Sequence, residues 1–119
     1  MQFSLAIATL AAAATVSAVP VKRSGTGTFY YTATGSAGSC GSYLNDGDSI
    51  VAVSQSDMNS GLCGKQVTIQ NTSNGNTATA TVQDTCPGCG SGSLDLSPSV
   101  FSQLGDQSEG TLPINYWYN

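Results

Sequence analysis

Two runs of strict alternation mark the clearest elements of this chain. In residues 66–70, Val67 and Ile69 alternate with polar neighbours, the period of a strand with one buried face. In residues 77–83, Ala78, Ala80 and Val82 point one way and Thr77, Thr79 and Thr81 the other. Between the runs stands Asn74-Gly75, a hairpin signal that predicts a type I′ turn with positive φ at both positions. Residues 26–32 are rich in Thr, Phe and Tyr and read as a first strand. Residues 49–54 form a short buried strand or a helical turn, which periodicity cannot separate. Leu94-Asp95-Leu96 reads as a short strand. A helix follows, with Ser97 as N-cap, Pro98 at its first position, Val100, Phe101 and Leu104 as its apolar face, and Gly105 at its end. Residues 112–118 close the chain as an aromatic strand. No internal repeat or coiled coil is visible.

The amino end has a different pattern. Residues 5–19 are apolar and Ala-rich, too short for a membrane span, and Val16-Ser17-Ala18 fits a small-x-small cleavage site. Residues 1–18 are therefore expected to be a secretory signal, although Lys and Arg are missing from the first residues. Lys22-Arg23 is a dibasic pair, so residues 19–23 are expected to be a short pro-segment and residues 24–119 the mature domain. At 119 residues the chain fits one domain with one modest core. Its formal net charge is −4, from 3 basic and 7 acidic residues. Loss of Lys22 and Arg23 would leave Lys65 alone against the acids, a net of about −6. Such a surface repels phosphate backbones, which argues against nucleic-acid binding. No basic amphipathic stretch suits a membrane surface.

The 4 cysteines are Cys40, Cys63, Cys86 and Cys89. An even number in a short secreted chain reads as disulfides, and spacing leaves all pairings open. Zinc would need more paired ligands than one Cys-x-x-Cys in a chain with 0 histidines, so no metal is expected. Cys86-Pro87-Gly88-Cys89 also echoes redox motifs, but a structural crosslink is the better reading for a secreted chain. Asn71-Thr72-Ser73 is an N-glycosylation sequon, expected at the surface beside the hairpin turn.

Several segments, in order, resemble the double-psi β-barrel proteins, the rare-lipoprotein-A-like, barwin and expansin group. Gly27-Thr28-Phe29-Tyr30-Tyr31 is similar to the opening strand of expansins, and Gly38-Ser39-Cys40-Gly41 to their Gly-Ala-Cys-Gly loop. Leu62-Cys63-Gly64-Lys65-Gln66-Val67 and Val82-Gln83-Asp84-Thr85-Cys86 resemble barwin segments. Leu94-Asp95-Leu96-Ser97 through Phe101 resembles the expansin His-Phe-Asp-Leu-Ser segment with its helix, and Ile114-Asn115-Tyr116-Trp117-Tyr118 the closing strand. The likeness is greatest to short, single-domain fungal members such as the loosenin-like proteins. It implies an all-β fold: a six-stranded double-psi β-barrel with one short helix, and two disulfides, Cys40–Cys63 and Cys86–Cys89.

The same resemblance implies a groove. Family-45 endoglucanases share this barrel and use two aspartates, as glycoside cleavage by an acid and a base requires. Asp95 stands where their acid and the expansin aspartate lie, and Asp84 ends a neighbouring strand; these are the candidate catalytic carboxylates. Their competing role is capping, since Asp95 precedes a helix start. The first strand lacks the second acid of those enzymes, and Ser93-Leu94 replaces the expansin histidine. Asp46 or Asp48 would have to be recruited for hydrolysis. The resemblance therefore implies a secreted, extracellular, monomeric protein that loosens wall polysaccharide of the cellulose or chitin type without hydrolysis and without a cofactor. Thr28, Tyr30 and Tyr43 are the candidate substrate-binding residues, because sugar C–H faces pack on aromatic rings. Trp117 is expected in the core. The sequence holds no match to the second, carbohydrate-binding domain of expansins, so weak binding is expected.

A different class remains. Some short members of the group block papain-like proteases or act as effector or defence proteins. The Gly/Ser/Asn loops at residues 35–41 and 88–93 would then meet a protein partner, a secreted protease or a host protein, on a rigid crosslinked core.

Overall fold

The computed structural model describes residues 21–119. The expected signal, residues 1–18, lies outside the described residues. Among the described residues, strands β1 (Arg23–Phe29), β2 (Ile50–Ser54), β3 (Gln66–Asn71), β4 (Thr77–Cys86), β5 (Leu94–Leu96) and β6 (Leu112–Tyr118) are accompanied by one helix, α1 (Pro98–Leu104), and two 3-10 turns. They close into a barrel in the order β1-β5-β2-β4-β3-β6. The pairs β1/β5 and β2/β4 are parallel and the others antiparallel. The chain therefore crosses over itself: β2 lies between two strands that follow it much later, β4 and β5. Among the described residues no helix is long and apolar enough to cross a membrane.

Alternation builds the core. Val67 and Ile69 of β3, with Ala78, Ala80 and Val82 of β4, are buried inside. Residue 50–54 settles as strand because it is hydrogen-bonded on both sides, to β4 and β5. In α1, Val100, Phe101 and Leu104 are buried and complete the same core. The pairings Cys40–Cys63 and Cys86–Cys89 are both formed.

Five expectations need correction. The first strand covers Arg23–Phe29 rather than residues 26–32. The long β6 offers partners as far as Arg23, while the short β5 ends opposite Phe29. β1 thus begins inside the expected pro-segment.

The hairpin turn is not type I′. Among the described residues no non-glycine residue has positive φ, whereas Gly75 has φ 81°. The connection is instead a longer loop, with Asn71 N–H donating to Asn76 O at 2.9 Å and Gly75 N–H to Asn71 O at 2.8 Å. The cause is tertiary: Asn71 Nδ2 and Asn74 Nδ2 both donate to the Leu104 carbonyl, at 3.0 and 2.9 Å, capping the end of α1. This also corrects the surface placement of the sequon. Asn71 is 1% exposed, and Nδ2, the atom that would carry a glycan, is buried against the helix.

Ser97 occupies the N-cap position but makes no side-chain cap bond. Its hydroxyl donates to the Asp48 carbonyl at 2.6 Å instead. Trp117 is not core. Tyr116 shares the inward face with Leu112 and Ile114 and is buried, so the alternation sends Trp117 outward, where Lys22 Nζ lies 5.2 Å from its ring centroid.

Candidate functional site

Register places the carboxylates. Thr28 of β1 pairs with Asp95 of β5, Asp95 pairs with Ala52 of β2, and Ala52 pairs with Asp84 of β4. Residues opposite each other across a sheet project to one face, so Thr28, Asp95, Ala52 and Asp84 form a single row. Leu94 and Leu96 point into the core, so the row lies on the outer face of the barrel.

Asp84 reaches this row through an irregularity. Ala80 and Val82 face inward, and simple alternation would send Asp84 inward too. The register shifts between Val51 and Ala52, which pair with Val82 and Asp84, so Gln83 is extra. A bulge of this kind re-aims the side chain that follows it. It turns Asp84 from the core to the outer face.

The two carboxylates are held differently. Asp84 accepts the Tyr30 hydroxyl at 2.8 Å, the Ser39 N–H at 2.9 Å and the Thr85 N–H at 2.9 Å. The loop at residues 38–41 packs directly on this strand: a Cβ on Gly38 would lie 2.6 Å from the Gln83 carbonyl oxygen. Only glycine allows that approach. Cys40 N–H donates to the same oxygen at 3.2 Å, and its disulfide ties the loop to Cys63. Asp95 accepts the Thr28 hydroxyl at 2.9 Å. It is half-buried, and this burial pushes its pKa above the usual carboxylate range. The Thr28 hydrogen bond opposes the shift, and the Asp84 charge adds to it. The Tyr30 phenol is pushed well above its ordinary value by burial, then by its bond to Asp84 and the charges of Asp84 and Asp95. It therefore stays protonated at neutral pH and donates to Asp84.

Asp84, Asp95, Thr28 and Tyr30 are thus brought together. Tyr43 is not bonded to them; it stands 74% exposed at the end of the loop that touches Asp84. Tyr31 is likewise 66% exposed, with its ring edge-on to Phe29 at 6.1 Å. Asp46 and Asp48 do not join the row. Asp46 holds the Thr32 and Ala33 N–H groups, and Asp48 the Asn45 N–H. Asp95 Oδ1 accepts from Thr28, and the N-cap position of α1 is held by Ser97. Sequence reasoning missed Ala52, the small residue between the carboxylates, and Ser39, whose N–H orients Asp84. Neither carries a local signal, because both owe their place to distant pairing. An Asp95 oxygen and the Cys86 and Cys89 sulfurs lie within 4.8 Å of one another. The sulfurs are bonded to each other, so in this form they offer no thiolate to a metal.

The arrangement has one carboxyl with raised proton affinity and one carboxylate fixed by three donors, and the segments that carry Tyr30 and Ser39 also carry the exposed Tyr31 and Tyr43. It is suited to binding hydroxyl-rich molecules and to donating a proton. A family model named DPBB_1 and described as lytic transglycolase matches residues 23–116. Allergen Asp f 7 of Aspergillus fumigatus is 44% identical over 95 residues, which is 76% of this chain and 34% of that protein. The chain therefore spans about a third of that relative's length. An aspartate-to-asparagine variant of the Clavibacter michiganensis expansin, in complex with cellohexaose, superposes with a TM-score of 0.72 at 30% identity. That match covers 83% of this chain and 50% of the expansin chain. The Streptomyces papain inhibitor superposes with a TM-score of 0.71 at 27% identity, over 82% of this chain and 94% of its own.

Proposed function

This chain belongs to the DPBB_1 family of double-psi β-barrels, and we propose that it is a secreted protein that binds cell-wall polysaccharide along the Asp84–Asp95 row and loosens it without hydrolysis. The observation that carries the reading is the row itself. Two aspartates from non-adjacent strands are turned to one outer face, one of them only by a bulge. A fold gains nothing in stability from gathering like charges beside a half-buried carboxyl, so the arrangement is a sign of function. The expansin matched here was crystallised with cellohexaose, which supports a glucan-type ligand for an equivalent groove. Thr28 and Tyr30 would set the hydrogen-bonding of the groove floor. Tyr43 and Tyr31 would offer the rings on which sugar faces pack.

Binding one chain in such a groove exchanges its hydrogen bonds to neighbouring chains for bonds to the protein. That loosens an assembly without breaking a covalent bond. The test is depletion of the mature domain from solution by washed insoluble cellulose and chitin, with Asp95→Asn alongside. Wild-type depletion that the variant loses by about tenfold, with both disulfides and the fold intact, is the expected result. Equal depletion of both proteins would sink the groove assignment. Sugar release from either solid would replace loosening with cleavage, the activity in the family's description.

A second reading has its own support. The Streptomyces papain inhibitor is matched over 94% of its length, so the barrel described here corresponds to nearly the whole of that protein. That reading predicts inhibition of papain that Asp95→Asn leaves unchanged.

A further inference from the structure

The Cys86–Cys89 disulfide contributes little as a crosslink. Its sequence separation is 3, against 23 for Cys40–Cys63. A crosslink stabilises mainly by restricting the unfolded chain, and this contribution grows with the loop it encloses. The turn is in any case held by its backbone: Gln55 N–H donates to Cys86 O at 3.2 Å and Cys89 N–H to the same oxygen at 3.3 Å. Cys86 is also paired with Ser54 in the β2/β4 ladder. The bond is accessible, with both cysteines partly exposed and Pro87 and Gly88 exposed between them. Beside it stands an acid, since an Asp95 oxygen and both sulfurs lie within 4.8 Å of one another. The titratable groups facing Asp95 are Asp84 and Tyr30.

We propose that Cys86–Cys89 is a thiol–disulfide exchange site in which Asp95 moves the proton. A thiolate of a partner dithiol attacks one sulfur of the pair. A mixed disulfide forms, the Cys86–Cys89 bond breaks, and the leaving sulfur takes the bonding electron pair. It is then protonated by the Asp95 carboxyl, which is refilled from water. The partner's second thiol loses its proton, attacks the mixed disulfide and releases the other cysteine, which takes up a proton in turn. The partner ends as a disulfide and the protein as a dithiol; two electrons and two protons have moved. In the reverse direction the Asp95 carboxylate accepts the proton of the attacking cysteine. Burial raises the proton affinity of Asp95, so its acid form persists to higher pH than that of an exposed aspartate. The proposal does not depend on glycan binding.

Cys40–Cys63 is the internal control. The folded protein is exposed to dithiothreitol across mildly acidic to neutral pH, quenched by alkylation, and the two bonds are followed separately by peptide mass spectrometry. In mild acid, Cys86–Cys89 is expected to open about tenfold faster than Cys40–Cys63. Asp95→Asn should remove about tenfold from the first rate and nothing from the second. Thr28→Val, which keeps the carboxyl but removes its hydrogen bond, should shift the pH profile of the first rate upward. Equal opening rates for the two bonds, or a Cys86–Cys89 rate untouched by Asp95→Asn, would overturn the proposal.

Discussion

Two aspartates stand beside the same loop, residues 86–93, with opposite shifts in proton affinity. Asp57 reaches it from the turn after β2 and accepts the Gly92 N–H at 2.7 Å, the Ser91 hydroxyl at 2.7 Å and the Ser54 hydroxyl at 2.9 Å. The Gly92 and Ser91 bonds hold its pKa below the usual carboxylate range. Asp95, in the strand that follows, has Thr28 as its side-chain donor, and burial wins over that bond. The same residue type is a clamp in one place and a carboxyl of raised proton affinity in the other. Donor supply against burial decides which, and position in the sequence does not.

The clamp is the more easily disrupted of the two. Gly25 of β1 lies against the loop that Asp57 grips, and a Cβ there would stand 1.6 Å from the Gly92 carbonyl oxygen. That neighbour is backbone, so β1 or the loop must move. Gly25→Ala is expected to lower unfolding stability by about 2–4 kcal/mol, read from urea denaturation. A loss within error would mean that the loop is free to shift and that Asp57 clamps nothing.

Asp57→Asn tests the clamp more gently. The amide keeps one acceptor and loses the charge that strengthens its bonds, so a cost of about 1–2 kcal/mol at neutral pH is expected. The sign with pH follows from the lowered pKa. Stability from Asp57 is present above the unfolded value near 4 and is lost as pH falls through the lower folded value. The gap between wild type and variant should therefore close in acid. A gap that held constant there would assign the cost to shape rather than charge.

Much of this was legible in the sequence, for physical reasons that also mark where reading stopped. Alternation reports which face of a strand is buried, so Val67, Ile69, Ala78, Ala80 and Val82 were read correctly. Alternation does not report which strand lies alongside. The place of Ala52 between Asp84 and Asp95 depends on β2 pairing with two strands that come later in the chain. The bulge at Gln83 shows the limit most sharply, because the period that is right up to Val82 would have sent Asp84 into the core. Asn74-Gly75 failed for a related reason. Its local turn preference was outweighed by two asparagine side chains reaching the Leu104 carbonyl. The disulfide pairing came from family resemblance, since spacing alone left it open; the candidacy of Asp95 came from the same resemblance.

Asp95 is an acid whose folded pKa is raised, so the folded state holds its proton more tightly than the unfolded chain. Stability is then full below the unfolded value near 4 and is lost as pH rises through the folded value. Above that window the wild type carries a partly desolvated charge beside Asp84. Asp95→Asn removes the charge and keeps an oxygen for the Thr28 hydroxyl. The variant is therefore expected to be more stable than wild type at neutral pH. Because the group is half exposed, solvent screening limits the gain to about 0.5 kcal/mol, or roughly 2–4 °C in Tm. The gain should vanish once acid protonates the wild-type carboxyl. Thermal denaturation of both proteins at neutral and acid pH reads this directly. A variant that melts lower at neutral pH would place Asp95 with Asp57, as a second clamp. One that melts higher while losing glycan binding would mean that the carboxylate is kept for its chemistry at a cost in stability.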